Sequence, residues 1–600
     1  MSHKGYPNLG AAVLAVSDAD FLNGDYCFSG DATAGEILNQ GIITTTSGGV
    51  VAFVAPVVRN EGTIYTPQGA TALAAGEAVT LDFTGDDLIT VTVEKSTLET
   101  LAENKGLIQA DEGMVILTAG AAHDVLSGAV NNEGIIEAKG FTRQGGCILL
   151  TGDTVTNQAE GLLQTDTGGN IHLEGNTVTN WGSIEANESE VTLTAGPADD
   201  PDSGDVSNEG TIQAGGIDGR IHLEGNTVTN QAEGLLQTDT GGNIHLEGNT
   251  VTNRGTIEAD ESEVTLTAGP ADDPDSGDVS NEGTIQAGGI DGRIHLEGNT
   301  VTNQAEGLLQ TGQGGEIRLE GNTVTNRGTI EADESEVTLT AGPADDPDSG
   351  DVSNEGTIQA GGIDGRIHLE GNTVTNQAEG LLQTGQGGEI RLEGNTVTNR
   401  GTIEADESEV TLTAGPADDP DSGDVSNEGT IQAGGIDGRI HLEGNTVTNQ
   451  AEGLLQTEQG GEIRLEGNTV TNRGTIEANE SQVTLTAVSA DDPNSGDVSN
   501  EGTIQAGGID GRIHLEGAIV TNQAEGLLQT GQGGEIRLEG NTVTNRGTIE
   551  ANESQVTLTA GPADDPNSGD VSNEGTIQAG GIDGRIHLEG AIVTNQAEGL

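Results

Sequence analysis

The sequence predicts an all-β protein folded as a parallel β-helix, a solenoid whose coils hold roughly 22–28 residues. Three observations support this prediction. The chain repeats itself at a fixed interval, apolar and polar residues alternate inside each repeat, and residues suited to corners separate the alternating runs. Together they describe short strands joined by tight corners, with each coil stacked on the next.

The repeat is clearest in the string GRIHLEGNTVTN, which ends at Asn376. Equivalent asparagines recur every 73 residues, at Asn157, Asn230, Asn303, Asn376, Asn449, Asn522 and Asn595. Within one block the motif V-[TS]-N occurs at Asn303, Asn326 and Asn354, with spacings of 23, 28 and then 22 residues to Asn376. The structural unit is therefore about 23 residues, and the 73-residue block contains three variants of it.

Alternation within one coil predicts three short strands. In Arg366–Glu370 it places Ile367 and Leu369 on one face, and in the TVT run that follows it places Val374 inward. Leu381–Gln383 supplies the third strand. Aliphatic residues at these positions would stack in columns down a dry interior.

Corner residues separate the three strands. Gly371 allows a bend, and Asn376 and Gly380 are expected at a corner that needs positive φ. On the outer surface, stacking Arg366 between Glu336 and Glu389 alternates opposite charges, which discourages slips of register.

Three regions follow in chain order. Residues 1–34 are predicted to be an irregular N-terminal cap, because Ser17–Gly30 is dense and holds two of the five phenylalanines. Residues 35–156 are degenerate coils with a short helical excursion near 96–103, where a Ser and a Glu three residues apart form a capping box. Residues 157–600 are tandem blocks of three coils, expected to continue beyond the C-terminus. The degenerate coils carry the asparagine motif at Asn39, Asn60, Asn104 and Asn132.

Composition excludes several classes of partner. The net charge is −77, and residues 303–375 alone hold 14 Asp and Glu against 3 Arg, so each block carries a net charge of −11. Such a surface repels nucleic acid and anionic lipid, and no nucleic-acid partner is expected. No run approaches the roughly 18 apolar residues of a membrane span. Cys27 and Cys147 show no metal or redox spacing and are interpreted as unpaired, partly buried thiols.

No residue pattern predicts a catalytic or cofactor site. Asp346, Asp348 and Asp351 could converge on Ca²⁺, yet their spacing matches no calcium-binding loop, and a solvated turn is the preferred interpretation. The threonine rows at Thr373 and Thr375 resemble those of ice-binding β-helices, but other coils interrupt them with Asp and Ser.

The histidines also fail to predict a metal site. They recur every third coil, roughly 14 Å apart, and are interpreted as surface ladder residues. Only His222 and His245 fall on neighbouring coils.

The coil signature GGxIxLxGxxVxNxGxIxA resembles the repeats of filamentous haemagglutinin-type adhesins, the exoproteins of bacterial two-partner secretion. The runs SDADFLNGDYCFSG, ILNQGIITTTSGGVVAFVAPVVRNEGTI, ATALAAGEAVTLDFTGDDLITVTV and ENKGLIQADEG resemble the end of that family's secretion domain. The similarity is close over about residues 13–156 and extends to the rest by repeat style. It implies a right-handed β-helix and export through an outer-membrane transporter. The family's signal peptide and its Asn-Pro-Asn-Gly motif are absent, so we expect a truncated product or a fragment.

These observations lead to a functional expectation. The chain is interpreted as a secreted or surface-exposed structural adhesin, an acidic β-helical rod associated with the bacterial outer membrane, with an undefined host-cell or surface receptor. Two alternatives stay open: the stalk of a contact-dependent toxin exoprotein, and a β-helical polysaccharide-active enzyme. Because every block carries the same acids, no unique catalytic constellation is present, and the scaffold interpretation is preferred.

Overall fold

The structure is a computed structural model of the chain. It describes residues 6–23, 26–30, 35–83, 89–94, 99–120, 128–139, 146–196, 204–269, 277–342, 350–415, 423–487, 496–561, 569–596 and residue 600. The chain divides into two compact units, unit 1 (Met1–Asn299) and unit 2 (Thr300–Leu600). Both units are built from parallel β-strands in stacked coils, which confirms the predicted parallel β-helix. Among the described residues, no helix is long and apolar enough to span a lipid bilayer.

Each coil places one strand on each of three parallel sheets, named here by a characteristic residue. The asparagine face contains the strands that end in the motif asparagine, the glutamine face contains the following strands, and the histidine face contains the strands of RIHLE type. In unit 2, for example, these are Thr373–Asn376, Leu381–Gln386 and Glu389–Gly394. Each strand pairs with its equivalents on the coils before and after it.

Unit 1 begins with one short helix and sixteen strands that precede the tandem blocks. These are β1 (Tyr6–Ala12), β2 (Ala15–Val16), α1 (Asp18–Asn23), β3 (Tyr26–Ser29), β4 (Glu36–Asn39), β5 (Ile42–Ala55), β6 (Val57–Asn60), β7 (Thr63–Tyr65), β8 (Ala70–Ala75), β9 (Ala78–Asp82), β10 (Thr90–Glu94), β11 (Thr100–Asn104), β12 (Leu107–Gln109), β13 (Met114–Ala119), β14 (Gly128–Asn132), β15 (Ile135–Ala138) and β16 (Cys147–Thr151).

The N-terminal segment is more regular than predicted. β1 pairs in parallel with β5 and so adds a strand to the histidine face. β2, β3, β9 and β10 form a separate antiparallel sheet. This sheet packs on the outer side of β5 and β8, where Val50, Ala52 and Val54 would otherwise be exposed. The expected cap over the end of the stack is therefore largely a cover over one side, because β5 and β8 are apolar on both of their faces.

The predicted helix near 96–103 is wrong where the chain is described. Thr100–Asn104 is the strand β11, which pairs in register with β6 and with β14 on the asparagine face. Residues 95–98 lie outside the described part. The extra length between Asn60 and Asn104 contains the antiparallel pair β9 and β10 instead. Pairing on both sides of β11 outweighs the local helical signal, since it satisfies the backbone groups of the strand along its length.

The tandem blocks repeat nine strands each. In unit 1 one block comprises Asp205–Asn208, Thr211–Gly215, Arg220–Glu224, Thr227–Asn230, Leu235–Thr238, Asn243–Gly248, Thr250–Asn253, Thr256–Asp260 and Glu263–Ala268. In unit 2 one block comprises Asp351–Asn354, Thr357–Gly361, Arg366–Glu370, Thr373–Asn376, Leu381–Gln386, Glu389–Gly394, Thr396–Asn399, Thr402–Asp406 and Glu409–Ala414. The other tandem strands recur at 73-residue intervals, with ends that differ by no more than two residues.

The core lies inside each coil as the alternation predicted. Ile367, Leu369, Val374 and Leu382 are at most 1% exposed. Register stacks like on like, so that Ile367 lies between Val337 and Ile390. The interior is therefore a set of aliphatic columns.

The motif asparagine plays a different part from the one predicted. Neither Asn376 nor Gly380 has positive φ; in the same block that conformation occurs at Asp364 and Glu407 and at several glycines. Asn376 ends its strand with its side chain fully buried. A Cβ at Gly380 would lie 2.3 Å from Asn376 Oδ1, so this glycine is needed for close approach. The corner is set by a buried amide and by space.

Candidate functional site

The buried asparagines form a ladder in each unit. In unit 2 the Asn376 side-chain amide donates to Asn399 Oδ1 at 2.9 Å, to Gly380 O at 3.2 Å and to Thr402 O at 3.2 Å. In turn it accepts from Asn354 Nδ2 at 2.9 Å. The degenerate coils join the same ladder in unit 1, with Asn60 donating to Asn104 and Asn104 to Asn132. The asparagines are structural, because each one satisfies its neighbours inside the stack.

The histidine face carries the most varied surface chemistry. Arg366 lies in register between Glu336 and Glu389, which confirms the predicted alternation of charge along the column. The close contacts, however, meet at another carboxylate: His368 Nε2 lies 3.1 Å from Glu393 Oε2, and Arg391 donates to the same Glu393 carboxylate. Sequence reasoning missed this grouping, although residues two apart on one strand share a face.

The clamp on Glu393 changes its titration. The hydrogen bond with His368 is the main cause that lowers the pKa of Glu393, burial opposes it, and Arg391 adds to the lowering. Glu466 and Glu539 have lowered pKa values for the equivalent reasons. The same arrangement therefore recurs in at least three blocks of unit 2.

Unit 1 departs from this arrangement at one pair of coils. His222 and His245 lie directly opposite each other in register, as do Glu224 and Glu247. The two imidazole rings stack with centroids 5.2 Å apart and planes at 18°. His222 Nε2 lies 3.5 Å from Glu224 Oε2, and His245 Nε2 lies 3.3 Å from Glu247 Oε2. Burial is the main cause that lowers the pKa of His245, and the neighbouring His222 lowers it further.

The calcium candidates are only partly visible. Asp346 and Asp348 lie outside the described residues. Asp351 opens the strand Asp351–Asn354, where it is exposed in register with Thr323 and Thr373. Nothing in the described part of the chain brings three or more metal-ligating side chains together around one point.

The threonine rows of the asparagine face are half covered. Thr375 is only 8% exposed, whereas Thr373 on the same strand is partly exposed. Gln377 lies across this face and donates to Ser353 Oγ at 3.2 Å. The face therefore presents one accessible hydroxyl column, not the paired array typical of ice-binding β-helices.

One exposed apolar residue recurs in each block at the corner between the glutamine and histidine faces. In unit 2, Ile363 is 60% exposed and precedes Asp364, which has a φ of 60°. The equivalent exposed residues are Ile217 and Ile290 in unit 1 and Ile363, Ile436, Ile509 and Ile582 in unit 2. Acidic residues surround this corner, so the surface offers a repeated apolar point in an acidic setting.

An aromatic groove lies at the start of unit 1. It has a volume of about 540 Å³ and lies between β1 and the antiparallel sheet. Tyr26 packs edge-on against Phe21 and Phe83, with ring centroids 6.1 Å and 5.3 Å away. Cys27 is exposed on the neighbouring strand position, and Cys147 is partly buried on β16. The chain is otherwise poor in aromatic residues, so this groove is a local feature of the N-terminal segment.

Fold and surface together define a repetitive parallel β-helix with an acidic exterior. No protein-family model matches the chain, and no characterised protein matches its sequence.

Proposed function

We propose that this chain is a structural adhesin, an acidic β-helix that attaches a bacterium to cells or surfaces. The observation that carries the proposal is the repetition of one surface: the same apolar point, Ile363 and its equivalents, returns in every block within an acidic corner. Repeated weak sites on one chain bind together more strongly than any one of them alone. The resemblance to filamentous haemagglutinin-type adhesins supports the same function.

The proposal treats the chain as a scaffold and not as an enzyme. The described ion pairs of unit 2 recur from block to block, as with His368, His441 and His514 beside Glu393, Glu466 and Glu539. Catalysis depends on a particular constellation of groups held in one place. A surface of equal copies is better suited to multivalent attachment.

Location and export belong to the same proposal. By its resemblance to the two-partner secretion exoproteins, the chain acts outside the cell or at the bacterial surface, and an outer-membrane transporter of that system is its export partner. Its receptor is a host cell or another surface. These assignments stand on sequence resemblance.

A binding screen tests the proposed function. The purified chain is applied to host cells, abiotic surfaces and sibling bacteria, beside an unrelated acidic protein of similar charge. We expect retention on at least one surface, reduced by the triple variant I363S, I436S and I509S. The matched control is A378S, A451S and A524S, which changes exposed residues at a different corner of unit 2. Equal retention of the chain and the unrelated acidic protein on every surface would contradict the proposal.

A further inference from the structure

The histidine pair of unit 1 occupies a place where unit 2 has a different residue. His222 faces His245 across neighbouring coils, whereas the equivalent His368 faces Arg391. The same exchange of His for Arg separates His245 from Arg464 and Arg537. A local departure from a near-perfect repeat marks a position where the chemistry of the surface differs.

The four side chains of this place provide two imidazole nitrogens and two carboxylates. The Nε2-to-Oε2 separations are 3.5 Å for His222 with Glu224 and 3.3 Å for His245 with Glu247. Zinc in a tetrahedral site has bonds of about 2.0–2.1 Å to N and O ligands, which places neighbouring ligand atoms about 3.3–3.4 Å apart. Each His and Glu therefore already has the spacing of two adjacent ligands.

We propose that His222 and His245, with Glu224 and Glu247, bind one divalent late transition-metal ion such as Zn²⁺. Imidazole is a preferred ligand for zinc, copper and nickel, and carboxylates complete many zinc sites. This inference is independent of the adhesin function and concerns a site on the outer surface of unit 1.

The unit 2 copies explain why the site is restricted to the histidine pair. There the arginine supplies a positive charge beside the histidine, and it donates to the carboxylate that would otherwise be a ligand. In unit 1 the Glu247 carboxylate is paired with His245 instead. A neutral imidazole offers a lone pair, and the environment that lowers the pKa of His245 favours that neutral form at neutral pH.

Binding requires the two imidazoles to turn toward a common point. The described side chains do not already surround an ion in a group of three or more. Adjacent strands lie about 4.8 Å apart, so side-chain rotation alone brings two opposite histidines within reach of one ion. The side chains of His222 and His245 are 29% and 36% exposed, which leaves room for this rotation and for access of an ion from solvent.

Calorimetric titration with Zn²⁺ tests the site on the full chain. The protein is first treated with a chelator and dialysed, and excess Mg²⁺ is included to occupy the many loose carboxylates. We expect one Zn²⁺ per chain, with the affinity reduced at least about tenfold in H245R and in H222T. Arg and Thr both occur in this column elsewhere, so both variants suit the fold. The control H172T removes a histidine whose neighbours in register are Leu149 and Thr192, and it should leave binding unchanged.

A gain-of-site variant provides the second decision. R391H places a second imidazole opposite His368, with Glu370 and Glu393 in the positions of Glu224 and Glu247. We expect the stoichiometry to rise from one to two. Absence of a Zn²⁺ site in the unaltered chain, or binding that survives both H245R and H222T, would overturn the proposal. If those two variants lose their β-sheet circular dichroism, R391H decides: a second equivalent supports the site, and an unchanged stoichiometry refutes it.

Discussion

At the scale of single residues, the buried asparagine amide is the main polar element inside the stack. Asn132 is fully buried, accepts from Asn104 Nδ2 at 2.9 Å and donates to Asn157 Oδ1 at 2.9 Å and to Gly134 O at 3.0 Å. Removing one amide leaves its neighbours with unmet hydrogen-bonding groups, and a buried unsatisfied group costs about 1–3 kcal/mol. The ladder therefore penalises any interruption.

The consecutive asparagines Asn131 and Asn132 allow a matched test. On β14 they alternate, with Asn132 inward and Asn131 partly exposed. We expect N132A to lower the free energy of local opening by about 2 kcal/mol and N131A to change it by no more than about 0.5 kcal/mol. Hydrogen exchange with mass spectrometry measures both, because this degenerate coil yields peptides of unique sequence. Equal effects of the two variants would contradict the ladder's energetic role.

The titration of His245 gives a second prediction for a single residue. Burial and then His222 lower its pKa below 6.5, while Glu247 and Glu263 act in the opposite direction. Since the folded state disfavours protonation, His245 supports the fold above pH 6.5, and this contribution is lost as the pH falls below that value. NMR titration of the metal-free chain should give a pKa below 6.5, and H222T should raise it. An unchanged pKa in H222T would show that His222 has no influence.

At the scale of elements, close approach between coils limits which residues the corners accept. A Cβ on Gly134 would lie 2.2 Å from Gly106 O, and one on Gly106 would lie 2.0 Å from Gly62 O. Neither Gly106 nor Gly134 has positive φ. The constraint is steric, because the backbone of one coil fills the space beside the next.

Substitution of Gly134 tests this constraint. We expect G134A to destabilise its coil by about 1–3 kcal/mol, the cost typical of overpacking, since backbone and not a flexible side chain must move. G35A is the control, because a Cβ there meets nothing within 4 Å. Thermal unfolding monitored by circular dichroism, together with hydrogen exchange across residues 128–139, compares the two. Comparable stability of G134A and G35A would refute the steric explanation.

Much of the element structure follows from patterns visible in the sequence. Alternation identified the inward Ile367, Leu369 and Val374, and the asparagine motif identified the degenerate coils at Asn60 and Asn104. These succeed because a strand has a two-residue period and stacked coils impose one register. The alternation of Arg366 with Glu336 and Glu389 followed from the same register.

Other features could not be obtained from local patterns. The sequence near 96–103 favours a helix locally, but pairing of β11 with two other strands decides its structure. Asn376 and Gly380 were assigned to positive φ from residue preference, whereas their positions depend on contacts with neighbouring coils. The histidine pair lay in plain view as His222 and His245, but its stacking and carboxylate spacings required coordinates.

At the scale of the whole molecule, the acidic charge and the repeat act together. A net charge of −77 favours solubility and disfavours anionic partners, while it opposes compaction through self-repulsion. The repeat offsets that repulsion locally, because each coil meets only its neighbours and gains the same ladder and columns. Stability should therefore depend on preserving the interfaces between coils more than on the number of blocks.

Deletion of one full period within unit 2 tests this dependence. Removing residues 377–449 joins Asn376 to Gln450, so that Thr373–Asn376 pairs with Thr469–Asn472 as Thr446–Asn449 now does. Because every interface type is retained, we expect the β-sheet circular dichroism per residue to persist and the melting temperature to shift by about 3 °C or less. The control deletion of residues 377–410 joins the asparagine face directly to a histidine-face strand and should lose cooperative unfolding. If both deletions melt alike, register between coils does not determine the stability of the array.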